Sequence, residues 1–264
     1  MNYISANFQL HYLSTYRLLV KTDFLQDTLI VLDEHNQVQV YNSYPSNQPD
    51  AEAMKLLGLP FQQVAVNLPL QSLVFIPTEV FEADDIPEYQ EFLVDENPER
   101  TYYKALPILG ATACYQYDLL LYNRWKNIFA NAQFIADFEV VLSQVQALIP
   151  IHGEVMGIHA NDTQVDLYVF INGQFQFYNT FEIATVDDLN YFMLNACRSF
   201  NLTPKIQKLI VSGITEDSEY MPYFSQFAEK IEWLQPKTKW SSTDSAVTEL
   251  MKQFNVLVDA KLCE

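Results

Sequence analysis

The chain carries one short stretch twice. It occurs first as Gln37-Val38-Gln39-Val40-Tyr41-Asn42-Ser43-Tyr44 and, 137 residues later, as Gln174-Phe175-Gln176-Phe177-Tyr178-Asn179-Thr180-Phe181. Four of the eight aligned positions are identical, the other four are conservative exchanges, and no gap is needed. The same offset places the strand-like run 17–22 on 154–159. An offset shared over about 28 residues indicates two copies of one folding unit.

Each copy begins with three strand patterns and continues with a helix pattern and a further strand. The turn Asn172-Gly173 in the second copy is a strong hairpin signal. Thr185, with Asp188 three residues later, resembles a capping box that starts a helix ending near residue 200. The predicted strands are 16–22, 28–32, 38–41 and 63–68 in the first copy, and 154–159, 165–171, 174–182 and 209–211 in the second.

This order of elements is that of a ribonuclease H-like unit, and two such units in tandem give the actin-like ATPase architecture. We therefore predict an α/β chain in which each unit is a mixed sheet flanked by helices. The first unit covers 1–150 and carries an inserted subdomain at about 72–117, which contains the acidic segment 79–100. The second unit covers 151–264.

Length and composition agree with two packed units. The chain has 264 residues, of which 49% are apolar, and its 18 Phe and 16 Tyr supply ample core material. No apolar run approaches the roughly 20 residues that a membrane span needs, and the N-terminus does not resemble a secretory signal. The three cysteines are far apart and odd in number, so neither a disulfide framework nor a zinc site fits them. A cytoplasmic location is expected.

The formal net charge of −18 argues against nucleic acid as a partner. The chain has 33 acidic and 15 basic residues and no basic run that could neutralise phosphates. The excess of acidic side chains favours solubility. The alternative is an acidic face that docks a basic partner.

Three segments show a family resemblance. They are the hairpin 170–181, the helix start 187–191 and the strand 209–213, and the segment 66–81 adds to them. Together they resemble domain-of-unknown-function family 3822, a bacterial family found mainly in Bacteroidetes. The resemblance spans most of the chain and implies an actin-like ATPase fold, with no assigned function.

The resemblance also implies where a nucleotide would bind. Active actin-like proteins hold ATP between their two units, on a glycine-bearing hairpin loop in each, where an acidic residue manages Mg²⁺ and backbone N–H groups hold phosphate. Glycine permits this close approach of the backbone to an anion. Here the corresponding loops, 22–27 and 159–163, contain no glycine, and the first carries Phe24 and Leu25. We therefore expect the first-unit side of the site to be blocked or apolar.

A residual polar site is expected in the second unit instead. Its candidate nucleotide-binding residues are Asp162, Thr163, Ser212 and Gly213. Ser212-Gly213 keeps one glycine of the pair that lies under adenosine in active relatives, although Gly213 is better explained as permitting a tight turn after the strand. No metal-binding residues are predicted, because the four histidines are scattered along the chain. No catalytic residues are predicted either, because a ribonuclease H-type nuclease needs a carboxylate in its first strand and 17–22 contains none.

Two hypotheses follow. In the first, the protein is a catalytically degenerate actin-like protein without a cofactor, which acts as a cytoplasmic binding or scaffolding module for protein partners. In the second, it is an unusual ATPase or small-molecule kinase that binds Mg-ATP, with Asp23 or Asp162 positioning Mg²⁺ and Thr163 bonding phosphate. The sequence leaves the partner and the oligomeric state open.

Overall fold

The computed structural model of the chain describes residues 2–95, 97–161 and 163–260. Among these residues the chain divides into two compact units: unit 1 takes 2–140, 238–248 and 257–260, and unit 2 takes 141–237 and 249–256. This division differs from the boundary at 150/151 that the sequence predicts. The C-terminal segment returns to unit 1, where the Val38 amide donates a 2.8 Å hydrogen bond to the Ser241 carbonyl.

The first half of the chain forms two sheets and several short helices. Its strands are β1 (Asn2–Ile4), β2 (Arg17–Thr22), β3 (Gln26–Leu32), β4 (Val38–Pro45), β5 (Gln63–Asn67), β6 (Leu70–Pro77), β7 (Tyr102–Leu106), β8 (Ala111–Tyr117) and β9 (Gln133–Ile135). Its helices are α1 (Ala51–Leu57), α2 (Ile86–Tyr89), α3 (Leu119–Ile128) and α4 (Asp137–Val145). The larger sheet has the strand order β1-β4-β3-β2-β5-β9, in which the β2–β5 and β5–β9 pairs are parallel and the others antiparallel.

Strands β6, β8 and β7 form a separate antiparallel sheet in that order. On one face of this sheet, the rings of Phe75 and Tyr115 pack edge-on against Phe138 of α4. Side chains alternate between the two faces of a strand, so Gln116 points to the opposite face, where it contacts the segment between β6 and β7. This sheet lies in the region where the sequence predicts an inserted subdomain, and we call residues 70–117 the insert.

The second half of the chain forms one mixed sheet. Its strands are β10 (Glu154–Ala160), β11 (Gln164–Ile171), β12 (Gln174–Glu182), β13 (Ile206–Ser212) and β14 (Ala228–Trp233). The helices are α5 (Val186–Ser199), α6 (Met221–Phe227), α7 (Ser245–Met251) and α8 (Asn255–Val258). The strand order is β12-β11-β10-β13-β14, with β10–β13 and β13–β14 parallel. Across the described residues, none of the helices combines the length and apolar composition that crossing a membrane requires.

The two large sheets share one strand order and one pattern of strand directions. Strands β4-β3-β2-β5-β9 of unit 1 correspond to β12-β11-β10-β13-β14 of unit 2. Both contain a bulge at the same place, because Gln39 on β4 and Gln176 on β12 are each left out of the ladder. Tyr41 and Tyr178 therefore occupy equivalent positions, as the repeat predicts.

The ungapped repeat is wrong by one residue in the first strand. Leu19 lies opposite Ile30 in unit 1, and Gly157 lies opposite Tyr168 in unit 2, so the offset is 138 here. The turn from β3 to β4 is one residue longer than the turn from β11 to β12, which restores the offset of 137 in the third strand. The run 17–22 therefore corresponds to 155–160.

The core of unit 2 lies between its sheet and α5. Leu167, Val169 and Ile210 are fully buried, whereas Phe177 lies on the outer strand β12 and is only half-buried. The capping box at the start of α5 is confirmed, since Thr185 and Asp188 exchange side-chain-to-backbone hydrogen bonds.

One glycine of unit 2 is required by packing. A Cβ on Gly157 would lie 1.8 Å from ring atoms of Tyr168, a fully buried residue on the adjacent strand. We expect Gly157→Ala to lower the free energy of unfolding by about 1–3 kcal/mol, because the ring has no room to move. Urea denaturation measures this change.

Gly58→Ala is the matched control. A Cβ there meets only two carbonyl oxygens, at 3.5 and 3.6 Å, and we expect a change of less than about 1 kcal/mol. In a Tyr168→Leu background, the loss caused by Gly157→Ala should shrink by at least about 1 kcal/mol. An equal loss in both backgrounds would contradict the ring contact.

Candidate functional site

The hairpin loop between β2 and β3 satisfies its own backbone. Oδ1 of Asp23 accepts hydrogen bonds from the Leu25 and Gln26 amides, both at 2.6 Å, and the Asp23 amide donates to the Gln26 carbonyl at 3.1 Å. Among the described residues of this loop, none has a positive φ. The Asp23 carboxylate thus accepts the hydrogen bonds of the Leu25 and Gln26 amides. The Phe24 and Leu25 side chains are exposed at the tip of the loop.

The Asp27–Arg124 ion pair lies next to this loop, where strands β2 and β3 begin to pair. Asp27, at the start of β3, is 2% exposed. Nη2 of Arg124 lies 2.6 Å from Oδ1 of Asp27 and 2.6 Å from Oγ1 of Thr22. The Ser46 hydroxyl donates to the same Asp27 oxygen at 3.1 Å. One carboxylate oxygen therefore already has a guanidinium and hydroxyl groups around it.

Tyr44 completes the surroundings of Asp27. The residue is buried, and this burial, together with the Asp27 charge, raises the pKa of Tyr44, so its hydroxyl stays neutral. Arg124 is placed by helix α3, whose first turn is capped by the Asp118 carboxylate on the Leu121 amide. The Arg124 guanidinium also lies 5.0 Å from the ring centre of Trp125, which is a favourable cation–π contact.

The corresponding loop of unit 2, between β10 and β11, closes with the same backbone bond. The Asn161 amide donates to the Gln164 carbonyl at 2.8 Å, as Asp23 does to Gln26. Thr163 is exposed, and its carbonyl accepts from the Ile183 amide at 2.9 Å. Asp162 lies outside the described residues.

Contacts within the protein account for both Ser212 and Gly213. The Ser212 hydroxyl lies 2.8 Å from Nδ1 of His159 on the adjacent strand, and both residues are buried. Gly213 has φ +83°, and a Cβ there would lie 2.0 Å from the Ala160 carbonyl oxygen. Close backbone approach therefore accounts for this glycine.

A shallow cavity of about 350 Å³ lies beside Gly213. Asn161, Thr215, Asp217 and Gln253 also line it, whereas Thr163 and Ser212 do not. The Thr215 hydroxyl keeps the pKa of Asp217 below its usual range, so this wall is negatively charged. The described lining residues include no Lys or Arg that could offset a phosphate. Of the three predicted residues that the structure describes, Thr163, Ser212 and Gly213, only Gly213 lines this cavity.

Metal and thiol chemistry find no support in the described ranges. No three His, Cys, Asp or Glu side chains within 2–95, 97–161 and 163–260 cluster as a metal site would require. Burial raises the pKa of Cys114 to about 11 and also raises the pKa of Cys197, so both remain thiols at neutral pH.

Sequence reasoning missed Arg124 and the roles of its partners. Arg124 reads as one residue of a helix pattern, and its contacts with Asp27 join residues 97 positions apart. The only signal in the sequence was indirect: an arginine is rare in so acidic a chain, which has 15 basic residues in total.

The comparisons with known proteins agree with the fold. The family model described as "Protein of unknown function (DUF3822)" matches residues 6–231. A protein with actin-like ATPase fold and unknown function from Bacteroides thetaiotaomicron superposes with a TM-score of 0.65 and 16% identity, over 86% of this chain and 93% of the other. The PilM-PilN type IV pilus biogenesis complex contains a chain with a TM-score of 0.60 and 11% identity, over 94% of this chain and 98% of the other. No curated protein matches the sequence.

These likenesses confirm the predicted fold class, that of actin-like ATPases with two ribonuclease H-like units.

The Arg124–Asp27 pair can be tested by stability. Arg124→Ala leaves a buried carboxylate without its cation, which in a fully buried pair costs about 3–5 kcal/mol. Because the Arg124 side chain is 31% exposed, we expect a smaller loss of about 1–3 kcal/mol in urea denaturation.

The exposed pair Lys55–Glu52, with an N–O distance of 2.6 Å, gives the control. Lys55→Ala should change the free energy of unfolding by less than about 0.5 kcal/mol. The double variant Arg124→Ala/Asp27→Asn should lose less than the sum of its single variants. If Arg124→Ala were as harmless as Lys55→Ala, the ion pair would contribute nothing.

Proposed function

Because the chain belongs to the DUF3822 family of proteins of unknown function, and because its first hairpin loop already binds a carboxylate, we propose that it is a catalytically degenerate actin-like protein. In this proposal it works in the cytoplasm as a binding or scaffolding module for protein partners and needs no cofactor. The observation that carries the proposal is Oδ1 of Asp23, 2.6 Å from both the Leu25 and Gln26 amides.

This arrangement disfavours a phosphate at the loop. Backbone N–H groups of such a loop are the donors that would hold an anion. Here Asp23 occupies them, and an approaching phosphate would meet a carboxylate in their place. Two anions close together without a cation between them repel each other. The missing glycine thus reflects a loop that is complete without a ligand.

The Asp27 environment disfavours Mg²⁺ in the same region. Mg²⁺ in nucleotide sites is held by one or two carboxylates and the substrate phosphates. Asp27 is the buried carboxylate nearest the loop, and the Arg124 guanidinium already neutralises it at 2.6 Å. Mg²⁺ would have to displace a positively charged group that is also bonded to Thr22.

Partner binding is supported by the exposed surface of the insert. Large apolar side chains are rarely so exposed in groups unless they take part in binding. Segment 78–109 of the insert contains several that are at least half exposed, namely Val80, Phe92, Val94, Tyr103 and Ile108. The PilM-PilN complex, a structure of the same fold, consists of two proteins. We extend protein binding to this chain as part of the proposal.

One observation favours the alternative. The cavity beside Gly213 has uncharged groups from Asn161, Thr215 and Gln253, which could bond the adenosine part of Mg-ATP. An unusual ATPase or small-molecule kinase would use this cavity. Its negatively charged Asp217 makes it better suited to a neutral group than to phosphates.

Nucleotide binding can be measured directly. A ligand at 100 times its dissociation constant raises the free energy of unfolding by about 2.7 kcal/mol, which is a shift of several degrees in melting temperature for a chain of this size. We expect millimolar Mg-ATP to produce no such shift and no hydrolysis. A clear shift accompanied by Mg²⁺-dependent hydrolysis would contradict the proposal and favour the alternative.

A second measurement isolates the role of Asp23. Asp23→Gly frees the Leu25 and Gln26 amides, so we expect this variant to gain binding of tripolyphosphate in thermal-shift titrations. Asp33→Gly is the matched control, because Asp33 accepts from the His35 and Gln37 amides in another turn, at 2.9 Å each. If the wild-type protein bound tripolyphosphate as well as Asp23→Gly does, Asp23 would not be the barrier.

A further inference from the structure

A second cavity, of about 230 Å³, lies in unit 1 between the insert and helix α3. Its lining includes three tyrosines, two carboxylates and one guanidinium, namely Tyr102, Tyr117, Tyr122, Asp95, Glu99 and Arg100. Sites for drug-sized ligands are usually about 300–1,000 Å³. The cavity is therefore suited to a single side chain rather than a large ligand.

The tyrosines form a connected aromatic wall. The ring centres of Tyr102 and Tyr117 are 5.3 Å apart, those of Tyr117 and Tyr122 are 6.1 Å apart, and those of Tyr102 and Tyr122 are 6.3 Å apart. Burial, followed by the Tyr122 hydroxyl, raises the pKa of Tyr102 to about 12, so the Tyr102 ring is uncharged at neutral pH. Neutral aromatic rings attract cations through their electron-rich faces.

The carboxylates give the rim of the cavity a net negative charge. Arg100 pairs with Asp95 at 2.7 Å. The hydrogen bond from the Asn97 amide and, to a smaller extent, the Arg100 guanidinium hold the pKa of Asp95 below its usual range. Glu99 has no basic partner among the residues that the structure describes. One negative charge at this rim is therefore available to a ligand.

The loop that carries these carboxylates is held in place by Gln116, which is 1% exposed. Its Oε1 accepts from the Asp95 amide at 3.0 Å and from the Ser72 hydroxyl at 2.8 Å. Its Nε2 donates to the Asp95 carbonyl at 2.6 Å and to Oγ1 of Thr101 at 3.1 Å. Three of these four bonds go to Asp95 and Thr101 and fix the loop before any ligand arrives, which reduces the entropy lost on binding.

We propose that this cavity binds a lysine or arginine side chain of a protein partner. The proposal rests on the proposed function as a protein-binding module and names the site and chemistry of that binding. The insert has nine acidic and two basic residues, so it attracts a basic segment. Val94 and Leu120, which neighbour the cavity residues Asp95 and Leu119 in the chain, are 66% and 73% exposed and offer apolar contacts near the cavity. A basic side chain flanked by apolar residues fits this surface.

The test uses the full chain with 13C-labelled tyrosine rings and two acetylated tripeptide amides. One is Leu-Arg-Leu, and the other is Leu-citrulline-Leu, which has the same shape without the charge. We expect the arginine peptide to shift the Tyr102 and Tyr122 resonances, which Tyr102→Phe and Tyr122→Phe assign, and the citrulline peptide to leave both unchanged. Glu99→Gln and Tyr122→Leu should each weaken binding about three- to tenfold.

Control variants change the same residue types elsewhere. Glu91→Gln removes another exposed carboxylate of the insert, and Tyr191→Leu removes a tyrosine that is 64% exposed on α5. Both should bind the arginine peptide as the wild-type protein does. Thermal unfolding of each variant checks that it is folded.

Several results would overturn the proposal. They are equal shifts with the citrulline peptide, equal weakening by Glu91→Gln, no shift at all, or a response to spermidine that is as strong as the response to the peptide. The last result would indicate a site for small amines instead of a protein. Failure of the proposed function is distinguishable, because Mg-ATP binding and hydrolysis could be found while peptide binding at this cavity persists.

Discussion

The rest of the fold depends on a central strand that is paired on both sides in each unit. Strand β2 pairs antiparallel with β3 and parallel with β5, and β10 pairs in the same way with β11 and β13. Because side chains alternate between the two faces of a strand, a slip of one residue would move the fully buried Leu18, Leu19 and Val20 to opposite faces. This pairing also fixes where the hairpin loops lie. Each loop follows the last residue of the central strand and therefore lies beside the carboxyl end of the next parallel strand, at Asn67 in unit 1 and Ser212 in unit 2. In open α/β sheets, this edge is where ligands bind.

The sequence predicts this frame well because the repeat is a property of the strand pairing. A strand's alternation and its neighbours restrict which residues can occupy it, so the third strand retained Gln, Tyr and Asn at matching places around a shared bulge. The offset of the first strand was wrong because a comparison without gaps cannot show that one turn is longer by a residue. The alternation of Phe175 and Phe177 with glutamines indicates one buried strand face, but alternation does not tell an outer strand from a central one. Because β12 is at the edge of its sheet, Phe177 is only half-buried. The capping box of α5, by contrast, depends only on two residues three positions apart. The spacing of Thr185 and Asp188 is therefore enough to predict it.

The candidate site was less predictable, because its chemistry depends on conformation and on distant contacts. The absence of glycine from the loop 22–27 is visible in the sequence, but what replaces an anion there is not. Asp23 satisfies the loop amides only because the turn brings its carboxylate back over them. Arg124 reaches Asp27 from helix α3, and no spacing rule connects the two. The predicted residues Ser212 and Gly213 proved to be engaged by His159 and by the Ala160 backbone, an outcome that requires the register of β10 against β13.

The first hairpin loop and the insert differ in whether their polar and charged groups have partners within the protein. At the first hairpin loop, the Asp23 carboxylate accepts hydrogen bonds from the Leu25 and Gln26 amides, and the Arg124 guanidinium pairs with Asp27. A buried charge that is already paired and hydrogen-bonded is costly to disturb. The insert differs, since its Glu99 carboxylate has no basic partner among the described residues and several of its apolar side chains are exposed. Binding free energy comes from groups whose interactions improve on association. In the proposed function, the first hairpin loop is satisfied by the chain's own groups, and the insert, whose segment 95–101 is held by Gln116, recognises a protein partner.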